Sequence, residues 1–124
     1  MNIIDRTKFE ILDSNIPAYS DLVKYKTWRI GVVNYSEKIS IERKPLKIER
    51  HKESDEVFIL VTGEAILYIG KEQEMIMLER GKLYNVKKDT WHAITLSTRA
   101  KIFVVENSDT NSENTEYIFF EDKK

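Results

Sequence analysis

Cysteine is absent from this chain. Disulfides, thiolate metal sites and a cysteine nucleophile are therefore excluded. Histidine occurs only twice, as His51 and His92, so any imidazole chemistry must use those positions. Neither sign of charge dominates: 20 lysines and arginines stand against 21 aspartates and glutamates. That balance gives no electrostatic case for a nucleic-acid partner or an anionic membrane. No apolar run approaches the length of a membrane span, and residues 1–6 lack the pattern of a signal peptide. A cytoplasmic protein, binding neither membrane nor nucleic acid, is the expectation. Helical periodicity, internal repeats and linkers are also missing, and 124 residues is the size of a single domain with its own core.

What remains is a succession of short strands. Residues 1–25 mix charged and apolar positions, which suggests a short strand or arm with a turn near Asn15-Ile16-Pro17. The segment 27–35 is rich in β-branched and aromatic residues. Residues 38–43 alternate at period two, the mark of a half-buried strand, and Pro45 opens an extended stretch over 46–49. Further strands are predicted over 57–61, 65–69, 75–78, 83–86, 93–96 and 101–106, with Gly63, Gly70 and Gly81 at the turns. A polar, turn-rich segment, 107–114, precedes the apolar Tyr117-Ile118-Phe119-Phe120. Short strands at regular spacing argue for an all-β sandwich or barrel.

Both histidines lie beside predicted strand ends, and imidazole is the commonest metal ligand. Glu49 and His51 are two apart and share a strand face. Glu56 and His92 would come round from neighbouring strands. Two imidazoles with one or two carboxylates suit manganese, iron, nickel or zinc, with the harder, oxygen-preferring ions favoured if Glu49 binds. Glu49 can otherwise serve as a general base, or sit on the strand surface paired with Arg50 or Lys47. Trp91 should face away from His92, Trp28 should pack in the core, and Met75 and Met77 read as core filler. Tyr68 and Tyr84 are each placed to present a hydroxyl to the barrel interior.

Glu49-Arg50-His51, four residues, Glu56, six residues and Gly63 resemble the first signature of the cupins, HxH(x)3–4E(x)6G. Gly81 with Lys87, Asp89 and His92 resembles the second, G(x)5PxG(x)2H(x)3N. The likeness covers about residues 40–106 and departs from the family pattern at four places. Glu49 stands for the first histidine, Lys87 for the proline, Asp89 for the glycine and Leu96 for the asparagine. The resemblance implies a double-stranded β-helix jelly roll, with the motif-bearing barrel over about 27–106 flanked by an N-terminal arm and a C-terminal strand. It further implies a divalent metal at His51, Glu56 and His92, with Glu49 as fourth ligand or base, a small-molecule ligand in the barrel, and a homodimer. Three functions follow: a metal-dependent isomerase or dioxygenase-like enzyme, a metal-free module holding a sugar or metabolite, or a homodimeric structural protein.

Overall fold

The computed structural model describes Asp5 and residues 7–120. Ten strands run in chain order as β1 (Ala18–Tyr25), β2 (Trp28–Asn34), β3 (Lys47–His51), β4 (Glu56–Thr62), β5 (Ala65–Ile69), β6 (Glu74–Met77), β7 (Leu83–Val86), β8 (His92–Leu96), β9 (Lys101–Asn107) and β10 (Thr115–Phe119). They form two five-stranded sheets, ordered β1-β2-β9-β4-β7 and β10-β3-β8-β5-β6. Every pairing between these strands is antiparallel.

Period-two alternation explains how the sheets face each other. Strand β4 buries Glu56, Phe58 and Leu60 while β9 buries Ile102, Val104 and Glu106. Leu67, Val86 and Leu96 close the same core from β5, β7 and β8. One end of each buried face is thus polar and the other apolar, which sets a site at one mouth of the barrel.

Two turns hold the motif segments in place. Gly63 links β4 to β5 with φ of 73°, and a Cβ there would lie 2.6 Å from the Cα of Ala100. The Gly63→Ala variant should therefore lose at least about 1–3 kcal/mol from the left-handed backbone alone, with the clash added to it. Urea denaturation measures this, and a variant as stable as the parent would contradict the geometry. Asp89 has φ of 63°, in the left-handed region that favours glycine. Asparagine and aspartate tolerate that region best among non-glycine residues, and two contacts reinforce it. The Asp89 amide donates to the His51 carbonyl at 2.7 Å, and Lys52 Nζ meets its carboxylate at 3.0 Å.

Several sequence expectations need correction. Residues 38–43 form no strand: Glu37–Ile39 is a 3₁₀ turn, Ser40 makes an isolated bridge to Leu96, and the Arg43 amide closes a turn onto the Ser40 carbonyl. Ile39 packs against the core from this turn, so its apolar character is used without a strand ladder. Trp28 is 42% exposed and stacks only obliquely on Tyr25, because it begins β2 at the rim of its sheet. Met75 and Met77 are exposed, since β6 is an edge strand paired with β5 alone. Tyr68 is buried on the outward side of β5, under the 41–44 segment, while Ala65 and Leu67 take the inner face. Tyr84 packs against the core, where its hydroxyl accepts the Glu79 amide at 3.0 Å. Trp91 does face away from His92, lying under the Arg50 guanidinium at 4.7 Å.

Candidate metal centre

The site forms where register rows of the two sheets face one another. In the first sheet Arg29, Glu106 and Glu56 stand side by side across β2, β9 and β4. In the second, Tyr117, Glu49 and His92 stand side by side across β10, β3 and β8, with Thr115 opposite His51. Glu49, His51, Glu56 and His92 each offer one ligand atom, and these four atoms lie within 4.8 Å of one another. All four residues singled out from the sequence are thus brought together. Glu49 is half-buried and makes no ion pair with Arg50 or Lys47 among the described residues; Arg50 instead pairs with Glu116 at 2.8 Å.

Glu56 is the hub. His51 Nε2 lies 3.0 Å and His92 Nε2 2.9 Å from the same oxygen, Oε1 of Glu56. The far side of each ring is also held. His92 Nδ1 donates to the Thr90 carbonyl at 2.9 Å, and a carbonyl can only accept, so that nitrogen carries a proton. His51 Nδ1 lies 2.9 Å from the Thr115 hydroxyl. Partners on Nδ1 are what fix the tautomer of a metal-ligating histidine and aim its Nε2 lone pair. The Thr115 hydroxyl can donate or accept, so only the His92 Nδ1 proton is assigned; both Nε2 atoms face one carboxylate oxygen, as donors while protonated and as ligands once those protons leave. The donor set therefore fits a divalent ion.

Glu106 and Arg29 were not picked out from the sequence. Arg29 donates from Nε and Nη2 to Oε1 of Glu106 at 3.0 and 2.7 Å. Glu106 in turn stands directly opposite Glu56 in the β9–β4 pairing, so two carboxyls are buried side by side. Burial, then the charge and hydrogen bond of Glu56, push Glu106 up to about 7 against the opposing pull of Arg29. The signal in the sequence was faint but present: Glu106 falls in phase with Ile102 and Val104, a charged residue on a buried strand face. Thr115 was not singled out either. It reaches His51 because the 107–114 turn closes on the Asn111 side chain, whose Oδ1 accepts the Glu113 amide at 2.7 Å.

Electrostatics bind the cluster together in the absence of metal. Burial disfavours charge on Glu56, but the two imidazoles hydrogen-bonded to it hold it well below the usual carboxylate range. Burial likewise opposes the imidazolium forms, and Glu56 outweighs it by hydrogen bond and charge, raising both histidines. In metal-free protein these shifts act on stability with opposite signs. The depressed Glu56 stabilises the fold above its ordinary 4.5 and loses that contribution as pH falls. The raised histidines stabilise below their ordinary 6.5 and lose theirs as pH rises through the folded-state values. Glu106, raised from 4.5 to about 7, adds a loss that begins above 4.5, so chelator-treated protein should be most stable just above that value and weaken as pH rises through neutrality. Metal competes with the Nε2 protons, so stabilisation by added metal should grow over the same rise in pH. Melting temperatures across pH, with and without metal, check both slopes; parallel curves would contradict a shared site.

A cavity of about 390 Å³ opens onto this cluster, with Tyr19, Phe58, Ile94 and Tyr117 among its walls. The comparisons with known proteins bear on the fold that carries it. No protein-family model matches the sequence, and no curated protein does. Solved structures do. The chain is similar to an RmlC-like cupin family protein with a double-stranded β-helix fold from Methanocaldococcus jannaschii, at 19% identity and a TM-score of 0.56, covering 80% of this chain and 90% of that one. It is similar to iron(II) HppE in complex with substrate, at 19% identity and a TM-score of 0.59, covering 86% of this chain but only 60% of that one. A variant of Streptomyces PAC13 with uridine matches at 14% identity and a TM-score of 0.55, covering 82% and 85%. The fold is that of the cupins, a double-stranded β-helix, with a cluster of histidine and glutamate able to hold a metal in its mouth.

Proposed function

We propose that this chain is a metal-dependent cupin-fold protein that acts on a small molecule in the barrel, with His51, Glu56 and His92 as ligands and Glu49 completing the set. The observation that carries it is the convergence of both Nε2 atoms on Glu56 Oε1, each ring held from behind at Nδ1. Two imidazoles with two carboxylates favour iron or manganese over softer choices, with nickel and zinc less suited to the oxygen-rich set. A bound divalent ion supplies Lewis acidity to a substrate oxygen. The protein groups do the rest. Phe58, Val104 and Ile94 exclude water from the inner wall of the cavity. Glu106, raised to about 7 beside Glu56, can hold a proton next to the site. Proton-transfer chemistry, as in an isomerase, and a dioxygenase-like reaction both fit this reading, with Glu49 and Glu106 as candidate bases. The iron in HppE and the uridine in PAC13 are consistent with a metal and a small ligand in this fold.

A metal-free binding module is the second reading, favoured by the same contact: two imidazolium donors already satisfy Glu56. Elemental analysis of protein purified without affinity tag or chelator separates the two. About one equivalent of iron, manganese, nickel or zinc surviving dialysis is the expected result. Metal at trace level, with ligand-induced stabilisation intact, would leave the binding module. A cytoplasmic homodimer completes the proposal, and sedimentation of the same preparation tests the dimer.

A further inference from the structure

We propose that the ligand of this barrel is an amphipathic small acid, with its apolar body in a second cavity and its anionic end at Lys38 and Lys47. This rests on the small-molecule reading above and adds the chemical class of the ligand. The second cavity, of about 370 Å³, is walled by Ile39, Pro45, Leu46, Ile94 and Phe119. It meets the central cavity along Lys47, Glu49 and His92, which line both. The two together make one path leading outward from the candidate metal centre.

Strand register sets the order of groups along that path. Inward positions of β3 run His51, Glu49, Lys47, and their β10 neighbours run Thr115, Tyr117, Phe119. At a rise of about 3.3 Å per residue, Lys47 lies about 13 Å along the strand from His51. The deep end is therefore polar, Glu49 and Tyr117 stand in the middle, and the outer end sets the Lys47 ammonium beside Phe119. Tyr117 and Phe119 stack with centroids 5.9 Å apart, and Lys47 Nζ lies 4.9 Å from the Tyr117 ring.

Charge decides the class of ligand. Lys38 and Lys47 form no ion pair among the described residues, whereas Lys52, Lys82 and Lys101 are each paired with a carboxylate. Glu49 is the acidic group lining the second cavity, and as a metal ligand its charge would be compensated. An apolar channel ending in two ammonium groups without a carboxylate partner, one of them resting on the Tyr117 ring, is complementary to an apolar molecule ending in an anion. A neutral or cationic ligand would leave that complementarity unused.

Titration calorimetry at low ionic strength with decanoate, decanol and decyltrimethylammonium tests this, since the three share a tail and differ in head charge. Metal content is measured separately on each preparation, so a missing metal is recognised independently of tail binding. Decanoate should bind at least about tenfold more tightly than decanol, with the cation weakest, and the preference should shrink with added salt. The double variant Lys38→Gln/Lys47→Gln should bring decanoate to the affinity of decanol. Equal binding of all three probes, or binding of none, would overturn the proposal. So would decanoate binding that survives the double variant and vanishes with the metal, which places the carboxylate at the deep end. A stable dimer that buries Phe119 and excludes every probe would overturn it in favour of a second copy on this face.

Discussion

Alanine in place of His92 should strip the protein of metal while leaving it able to fold. His92 is 2% exposed, and its Nε2 meets Glu56 while its Nδ1 is tied to the Thr90 carbonyl. The substitution removes one nitrogen ligand outright and leaves Glu56 Oε1 with His51 alone. Loss of a partner that merely orients a ligand costs about 10–100-fold in affinity, so loss of the ligand itself should exceed that range. The cavity left beside Phe58, whose ring centroid is 5.8 Å from that of His92, should also lower stability by about 2–4 kcal/mol. Thr115→Val is the gentler partner experiment. It removes the hydroxyl behind His51 Nδ1 and should weaken metal binding by about 10–100-fold with little change in fold. Metal content by elemental analysis and secondary structure by circular dichroism read the two effects separately. Unchanged metal in folded His92→Ala protein would remove this cluster from consideration.

Arg29→Met should destabilise the protein by about 3–5 kcal/mol, the usual consequence of removing one partner from a buried ion pair. The guanidinium is the cation that offsets two adjacent carboxyls, and the Arg29 and Glu106 side chains are 15% and 4% exposed. Without it, Glu106 and Glu56 face each other with only the imidazoles to compensate. The exposed carboxylate of Asp21, 3.8 Å from Arg29 Nε, would also lose its partner, at little cost because it is solvated. Glu106→Gln should be close to neutral, since the amide can still donate toward Glu56 and accept from Arg29. The double variant should recover most of the lost stability, because no uncompensated charge remains. Urea denaturation of the four proteins gives the coupling directly. Additive effects of the two substitutions would mean that Arg29 acts by packing rather than charge.

The strands and motif positions were legible because both depend on local spacing. Short apolar stretches between turn signals marked β4, β5, β7 and β9, and the interval from Glu49 to Gly63 placed three candidate ligands near one barrel mouth. Asp89 was legible as a turn for the same reason. The Arg29–Glu106 pair was not, since nothing local connects residues 77 positions apart. Only the pairing of β2 with β9 and of β9 with β4 brings them to Glu56. The 38–43 segment misled because alternation reports which side chains are covered, and a 3₁₀ turn followed by a bridge can cover Ile39 equally well. Met75 and Met77 misled because strand patterning does not reveal which strand will lie at an edge.

The row formed by Arg29, Glu106 and Glu56 also acts as a registration mark for the sheet. A slip of one residue in β9 would turn Glu106 outward and leave Arg29 and Glu56 looking at Val105 or a neighbour on the wrong face. Apolar strands alone distinguish such slips weakly, because valine and isoleucine fill either face of β9. Ionic partners drawn from three strands far apart in the chain do not tolerate the error. The groups that prepare the site for chemistry thus also proofread the assembly of the barrel that holds them.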